Sequence, residues 1–217
     1  MDHLLEQANR LLQNTKIQWA FCGGYALDLF LNKETRKHSD IDICVFENDR
    51  EMILDYMLFQ GWKVYQFLGG GKVRPVNTKT GSDSGRNFMC VKDGCRLVQF
   101  SPSEEKGTLG HEFYHVGMER FDYLEFLFNC KREDNFVFNL DLKLTRKMEK
   151  AILYNNGFPY LAPELALLYK SCRADNPEYQ YDYEVTVPHL SDEQLIWFHN
   201  GLEKLYPEGH PWNKGIL

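Results

Sequence analysis

Two aspartates at the start of an apolar strand constrain this chain more than any other sequence feature. The segment 36–46 reads RKHSDIDICVF, and its alternating apolar residues, which include Ile41 and Val45, indicate one face of a buried strand. Asp40 and Asp42 then share the opposite face, roughly 6.5–7 Å apart. Because strands are depleted in Asp and unpaired buried carboxylates are costly, the pair requires a counter-charge.

The first 67 residues alternate between helical and strand patterns. Helical patterns cover residues 2–14, YALDLFL and DREMILDYMLFQG, and strand patterns cover IQWAF, the aspartate segment and WKVYQF. This alternation predicts an α/β (α+β) domain with a mixed sheet. Further strands are predicted in FDYLEFLF and FVFNLDLKL, and NFMCVKDGCRLVQFS predicts a hairpin that turns at Asp93-Gly94.

The composition changes near YNNGFPY, where we predict a domain boundary. Residues 1–157 are expected to form the α/β domain, and residues 158–217 a C-terminal helical domain. APELALLYKSC has proline at a helix start, and SDEQLIWFHNGLEKLY opens with a capping box of Ser191 and Gln194.

The composition limits the possible partners and compartments. The chain has 217 residues and a formal net charge of −6 without a long Lys/Arg block, which argues against nucleic-acid binding. No apolar run approaches the length of a membrane span, and the N-terminal sequence lacks the pattern of a secretory signal. Six scattered cysteines form no CxxC pair, so we expect a reduced, cytoplasmic protein. Its oligomeric state stays open.

Gly23 and Gly24 follow a predicted strand and lead directly into a helix. Glycines allow close approach of a ligand to the backbone, and a helix N-terminus attracts phosphate. Asp40 and Asp42 could share Mg²⁺, which takes oxygen ligands and is often completed by substrate phosphates. With a third carboxylate, two metal ions could hold an attacking hydroxyl and a leaving phosphate in line. The alternative is structural, with Asp40 capping a loop and Asp42 paired to a neighbouring Arg or Lys.

The segment GGYALDLFLNKETRKHSDIDICVF resembles the signature of the polymerase-β-like nucleotidyltransferase superfamily. TRKHSDID is similar to the form found in aminoglycoside and lincosamide nucleotidyltransferases, and PYLAPELALLYKS and GHPW resemble their C-terminal segments. The resemblance covers the first 46 residues and most of the last 60, whereas residues 69–120 match nothing. It implies a nucleotidyltransferase domain and Mg²⁺-dependent transfer of a nucleoside monophosphate, typically AMP from ATP, to a hydroxyl of a small molecule.

By this resemblance, Gly23 and Gly24 would bind the triphosphate of ATP or another NTP, and Asp40 and Asp42 would hold two Mg²⁺ ions. Arg36 and His38 immediately precede the aspartates, within plausible reach of phosphate; a salt bridge and a structural histidine are the alternatives. Lys170, at the end of LLYK, could stabilise charge on the triphosphate, or be a solvated helix lysine. Tyr179 stands where the family usually has an acid, which leaves acceptor recognition open.

The third carboxylate is expected on a strand with apolar flanks. Glu125 in FDYLEFLF sits between two apolar residues and fits best, as a general base and metal ligand. Asp122 lies three residues earlier and therefore faces the other side of the strand. Asp141 in FNLDLKL is the remaining candidate.

A rival motif, HEFYH, spans His111 to His115 and matches the HExxH pattern of zinc hydrolases, with Glu112 as base. The glycine-punctuated entry and the absence of the extended motif argue against it. A nucleotide-binding regulator without turnover and an enzyme that modifies proteins are further alternatives.

Overall fold

The structure is a computed structural model and describes residues 3–77, 81–114 and 119–213. The chain splits into two compact units. The first unit comprises Met1–Trp19 and Lys37–Asn129, and the second comprises Ala20–Arg36 and Cys130–Leu217. The predicted boundary between residues 157 and 158 stays a prediction.

The described part of the first unit is a seven-stranded mixed sheet with two α-helices. Its elements are α1 (His3–Leu12), β2 (Asp42–Phe46), α3 (Arg50–Phe59), β3 (Lys63–Gly69), β4 (Lys72–Val76), β5 (Phe88–Val91), β6 (Val98–Pro102), β7 (Leu109–Phe113) and most of β8 (Tyr123–Arg132). The sheet order is β2-β8-β5-β3-β4-β7-β6. β2 and β8 pair in parallel, and the other neighbours in this order run antiparallel.

The described part of the second unit combines short strands with four helices of eight or more residues. Its elements are β1 (Ala20–Phe21), α2 (Gly23–Leu31), β9 (Asn135–Val137), β10 (Thr145–Lys147), α4 (Met148–Ala151), β11 (Ile152–Asn155), β12 (Phe158–Leu161), α5 (Pro163–Lys170), α6 (Pro177–Thr186) and α7 (Asp192–Leu205). β12 pairs in parallel with β1 and antiparallel with β11. β9 pairs antiparallel with β10 and with the last residues of β8.

Local sequence signals explain the ends of several elements. Pro163 starts α5, and Ser191 accepts a bond from the Gln194 backbone N–H in the predicted capping box of α7. The turn between β11 and β12 uses Asn156 and Gly157, with φ of 50° and 83°. Two positive φ values define the tight hairpin turn that Asn-Gly favours.

The predicted hairpin at Asp93-Gly94 is wrong. β5 pairs with β3 and β8, whereas β6 pairs with β7, so the two halves of NFMCVKDGCRLVQFS are not partners. Each half finds its neighbours through long-range register, which a local turn signal does not encode. The strand predicted in FVFNLDLKL is also shorter than expected: β9 spans Asn135–Val137.

The mixed sheet and the C-terminal helices confirm the predicted fold class. Among the residues that the structure describes, no helix is both long and apolar enough to cross a bilayer.

Candidate active site

Asp42 and Glu125 occupy paired positions on two adjacent strands. β2 and β8 run parallel, and Asp42 is the partner of Glu125 in their register. Neighbouring strands lie about 4.8 Å apart, and paired residues point to the same face of a sheet. Both side chains are half-buried, as is Asp40, which precedes β2 and accepts a bond from the Ser39 hydroxyl at 3.2 Å. The fold therefore places Asp42 beside Glu125, with Asp40 two residues earlier in the chain.

Glu125 has an altered proton affinity for identifiable reasons. Burial raises the pKa of Glu125 to about 7, the negative charge of Asp40 adds to the rise, and the Tyr123 hydroxyl, which donates to Oε1 of Glu125, opposes it. Tyr123 is fully buried, and burial together with Glu125 raises its pKa strongly, so its hydroxyl keeps its proton. A carboxylate with a pKa near neutrality can accept a proton at physiological pH.

The three carboxylates supply suitable oxygen donors for Mg²⁺. Within residues 3–77, 81–114 and 119–213, no three His, Cys, Asp or Glu side chains converge as a preassembled metal site. Mg²⁺ in phosphate-transfer sites is commonly held by one or two carboxylates, with water and substrate phosphates completing its shell. Asp42 and Glu125 are paired on adjacent strands and could supply such ligands. Asp40 and Glu125 repel each other, and a bound cation would offset that repulsion, so the residues fit Mg²⁺.

The other candidates for the third carboxylate lie in different surroundings. Asp122 precedes β8 and is 3.7 Å from the guanidinium of Arg120. Asp141 lies between β9 and β10, in the second unit, where its carboxylate accepts a bond from the backbone N–H of Lys143. Only Glu125 of these three residues is the strand partner of Asp42 in the described register. Its catalytic role stays a proposal.

Gly23 and Gly24 are the first two residues of α2, which begins directly after β1 and Cys22. Gly23 has φ of 63°, a backbone conformation that glycine adopts without steric cost. The first-turn N–H groups of a helix lack partners inside the helix, and they are suited to bind phosphate oxygens. This arrangement is the strand–glycine–helix junction that the sequence predicts.

Arg36 and Lys170 converge on one buried carboxylate within the second unit. Asp182 accepts from Nε and Nη2 of Arg36 at 2.9 and 3.1 Å, and its Oδ2 is 3.0 Å from Nζ of Lys170. Lys170 also lies over the ring of Tyr179, 4.2 Å from its centroid. Lys170 is buried rather than a solvated helix lysine. Arg36 forms a salt bridge with Asp182 on α6, whereas the alternative considered from the sequence was a salt bridge at the start of the strand.

His38 is buried in the first unit, two residues before Asp40.

The sequence predicted eight candidate site residues but not two of the residues that contact them. Tyr123 lies two residues before Glu125 on the same strand, a spacing that could have indicated it. Asp182 lies 146 residues from Arg36, and no local pattern links them.

The HExxH motif does not form a helix in the described residues. His111 and Glu112 lie in β7, where successive side chains point to opposite faces. His115 lies outside the described residues. The helical spacing that zinc hydrolases use is therefore absent from the part of the motif that the structure describes.

Solved structures of a known protein have the same fold. The structure superposes on the solution structure of the antibiotic-resistance factor ANT(2'')-Ia with a TM-score of 0.55, at 14% identity, over 95% of this chain and 92% of that one. It also matches the crystal structure of ANT(2'')-Ia in complex with adenylyl-2''-tobramycin, with a TM-score of 0.52 at 12% identity, over 93% and 95% of the two chains. The chain therefore has the fold of ANT(2'')-Ia.

The N-terminal part of the sequence matches a known family. Residues 4–100 match the family described as aminoglycoside-2''-adenylyltransferase. The lincosamide antibiotic adenylyltransferase LnuA, lincomycin-bound, is 12% identical with a TM-score of 0.48, over 94% of this chain and 98% of that one. A comparison with curated proteins gave no match. Residues 4–100 therefore resemble the aminoglycoside-2''-adenylyltransferase family, and the chain shares the fold of ANT(2'')-Ia. Both findings agree with the resemblance that the sequence motifs carry.

Proposed function

We propose that this enzyme transfers a nucleoside monophosphate, AMP from ATP, to a hydroxyl group of a small antibiotic-like molecule. The observation that carries the proposal is the pairing of Asp42 with Glu125 on adjacent parallel strands, with Asp40 beside them. The family match over residues 4–100 includes both aspartates and both glycines, which supports the same reaction.

Glu125 is the general base in this proposal. In the metal-free protein its pKa is about 7, and in its ionised form it takes the proton of the acceptor hydroxyl, whose oxygen then bonds to the α-phosphorus as the bond to pyrophosphate breaks. The buried Tyr123 hydroxyl donates to one carboxylate oxygen and so fixes the orientation of the base. The products are the nucleotidylated acceptor, pyrophosphate and protonated Glu125.

Asp40, Asp42 and Glu125 would hold two Mg²⁺ ions. When bound, these ions supply positive charge that neutralises the phosphates and the carboxylates. The three side chains would contribute oxygen ligands. The strand pairing of Asp42 with Glu125 orients these two carboxylates before substrate binds. ATP is the expected co-substrate, and another NTP is the alternative.

Five residues are assigned to the triphosphate. Gly23 and Gly24 would donate backbone N–H groups at the start of α2, and Arg36 and Lys170 would contribute positive charge. His38 is assigned to phosphate binding by its position just ahead of the aspartates.

The acceptor class follows from the family and from charge. The matching family is described as aminoglycoside-2''-adenylyltransferase, and ANT(2'')-Ia has been crystallised with adenylyl-2''-tobramycin. We propose an aminoglycoside- or lincosamide-like acceptor, and the net charge of −6 suits a cationic molecule. We assign the enzyme to the cytoplasm because all six cysteines are free thiols. Neither a nucleic acid nor a membrane is a proposed partner.

The test is transfer of label from ATP radiolabelled at its α-phosphate to a panel of aminoglycosides and lincosamides, with pyrophosphate release as the second signal. Asp42→Asn should abolish both signals, whereas Asp55→Asn, an exposed position on α3, should leave them unchanged. Nucleotide binding without transfer to any acceptor would favour a non-catalytic regulator. Label on protein instead would indicate a protein-modifying enzyme.

A further inference from the structure

Two cations share one buried carboxylate in the second unit, and both contact the same oxygen of it. Asp182 is 1% exposed, and its Oδ2 contacts both Nη2 of Arg36 and Nζ of Lys170. Those two nitrogens therefore lie no more than about 6 Å apart. Glu178 also pairs with Arg36 at 3.3 Å, but its side chain is 66% exposed, so water screens its charge.

A second buried ion pair in the same unit provides a comparison. Glu164 is fully buried and accepts from Nε and Nη2 of Arg146 at 3.1 and 2.7 Å, and its other oxygen accepts from Gln194. Arg146 also pairs with the exposed Glu193 at 3.1 Å, and Glu193 pairs with Lys150 as well, so the carboxylate that two cations share there lies in solvent. At Asp182 the shared carboxylate is itself buried, so Arg36 and Lys170 are held together at one buried group.

The structure also fixes the approach of each cation to Asp182. Asp28 on α2 accepts from the backbone N–H and the hydroxyl of Thr35, at 3.0 and 2.6 Å, which anchors the backbone immediately before Arg36. Lys170 ends α5, and its Nζ lies between Asp182 and the ring of Tyr179. Two like charges this close repel each other, and the carboxylate between them offsets the repulsion.

We propose that Asp182 is a positioning residue for nucleotide binding: it holds Arg36 and Lys170 close together, so that both cations can contact one triphosphate. This inference rests on the proposed function, because it takes the triphosphate as the ligand of the two cations. A triphosphate has closely spaced anionic oxygens, and two cations held by one carboxylate match that spacing better than two independently mobile side chains.

The proton affinity of Asp182 agrees with this arrangement. Burial by itself would raise the pKa of Asp182, but the hydrogen bond from Arg36 and the charge of Lys170 outweigh burial and lower the pKa. Asp182 therefore stays ionised at neutral pH and keeps both cations in place.

The experiment compares Asp182→Asn with Glu164→Gln, which neutralises an equally buried carboxylate that contacts no proposed ligand. Titration calorimetry with Mg²⁺ and a non-hydrolysable ATP analogue gives Kd, steady-state transfer gives KM for ATP and for the acceptor, and thermal unfolding gives Tm. Asp182→Asn should raise Kd and KM for ATP at least tenfold with the acceptor KM unchanged. Glu164→Gln should lower Tm and leave Kd within twofold of wild type.

Asp182→Glu serves if the asparagine variant does not fold, because it keeps the charge and displaces the carboxylate by one methylene. It should raise Kd for the analogue severalfold. A Kd within twofold of wild type in either folded Asp182 variant would overturn the proposal and make Asp182 a structural residue like Glu164. Wild-type binding without transfer would contradict the proposed reaction alone, and Kd would still decide the role of Asp182. No nucleotide binding by the wild type would overturn both.

Discussion

Replacing Glu125 with glutamine should stabilise the metal-free protein at alkaline pH and not at acidic pH. In the folded protein the pKa of Glu125 is raised to about 7, whereas an unfolded glutamate has a pKa of about 4.3–4.5. The folded state binds the proton more tightly, so stability is highest below the unfolded pKa and falls as pH rises to 7. Above pH 7 the ionised carboxylate imposes its full penalty on the fold.

The size of the effect follows from the shift. A difference of about 2.5 pKa units corresponds to about 3 kcal/mol at 1.36 kcal/mol per unit. Because Glu125 is half-buried and solvent screens part of the penalty, we expect about 1–3 kcal/mol. For a chain of this length, that is a rise in Tm of roughly 2–12 °C.

The assay is thermal unfolding of wild type and Glu125→Gln in EDTA, at pH 8 and at pH 4.5. The variant should melt higher at pH 8 and within about 1 °C of wild type at pH 4.5, since the protonated glutamate and the glutamine that replaces it are then nearly equivalent. Saturating Mg²⁺ should reduce the difference at pH 8, because bound metal stabilises the wild-type carboxylate. A variant that is less stable than wild type at pH 8 would refute the reasoning, since Glu125 would then be a stabilising charge.

Three further measurements test separate predictions. Asp42→Asn should abolish transfer while its Tm stays near or above wild type, because it relieves carboxylate repulsion; loss of stability with retained activity would make Asp42 structural. Glu125→Gln should lower kcat for label transfer more than it weakens ATP binding, and unchanged turnover would move the base to Asp122 or Asp141. Ser191→Ala should cost about 1 kcal/mol in urea unfolding through loss of the α7 cap, and an unchanged midpoint would contradict that role.

Features with local causes could be predicted from the sequence. The strand that carries Asp42 follows from alternation, and the start of α7 follows from Ser191 and Gln194. The junction at Gly23 follows from an apolar strand that meets two glycines and a helical stretch. In each case the residues that determine the structure are adjacent in sequence, so a short window contains the signal.

Features that depend on distant partners could not be predicted in this way. β5 and β6 lie either side of a plausible Asp93-Gly94 turn, yet each pairs elsewhere, because register is decided by burial across the whole sheet. Asp182 joins Arg36 and Lys170 from a distant helix, and only the folded chain brings them together. The Asn156-Gly157 turn did carry a local signal: the dipeptide favours a hairpin, and one is present there.

The central claim is that the aspartates of β2 bind a metal–nucleotide complex. The most direct test is calorimetric titration of a non-hydrolysable ATP analogue into wild type and into Asp40→Asn/Asp42→Asn, each with and without Mg²⁺. The account predicts Mg²⁺-dependent binding to the wild type that is lost in the double variant. Binding of equal affinity in both proteins, or binding that is independent of Mg²⁺, would contradict it.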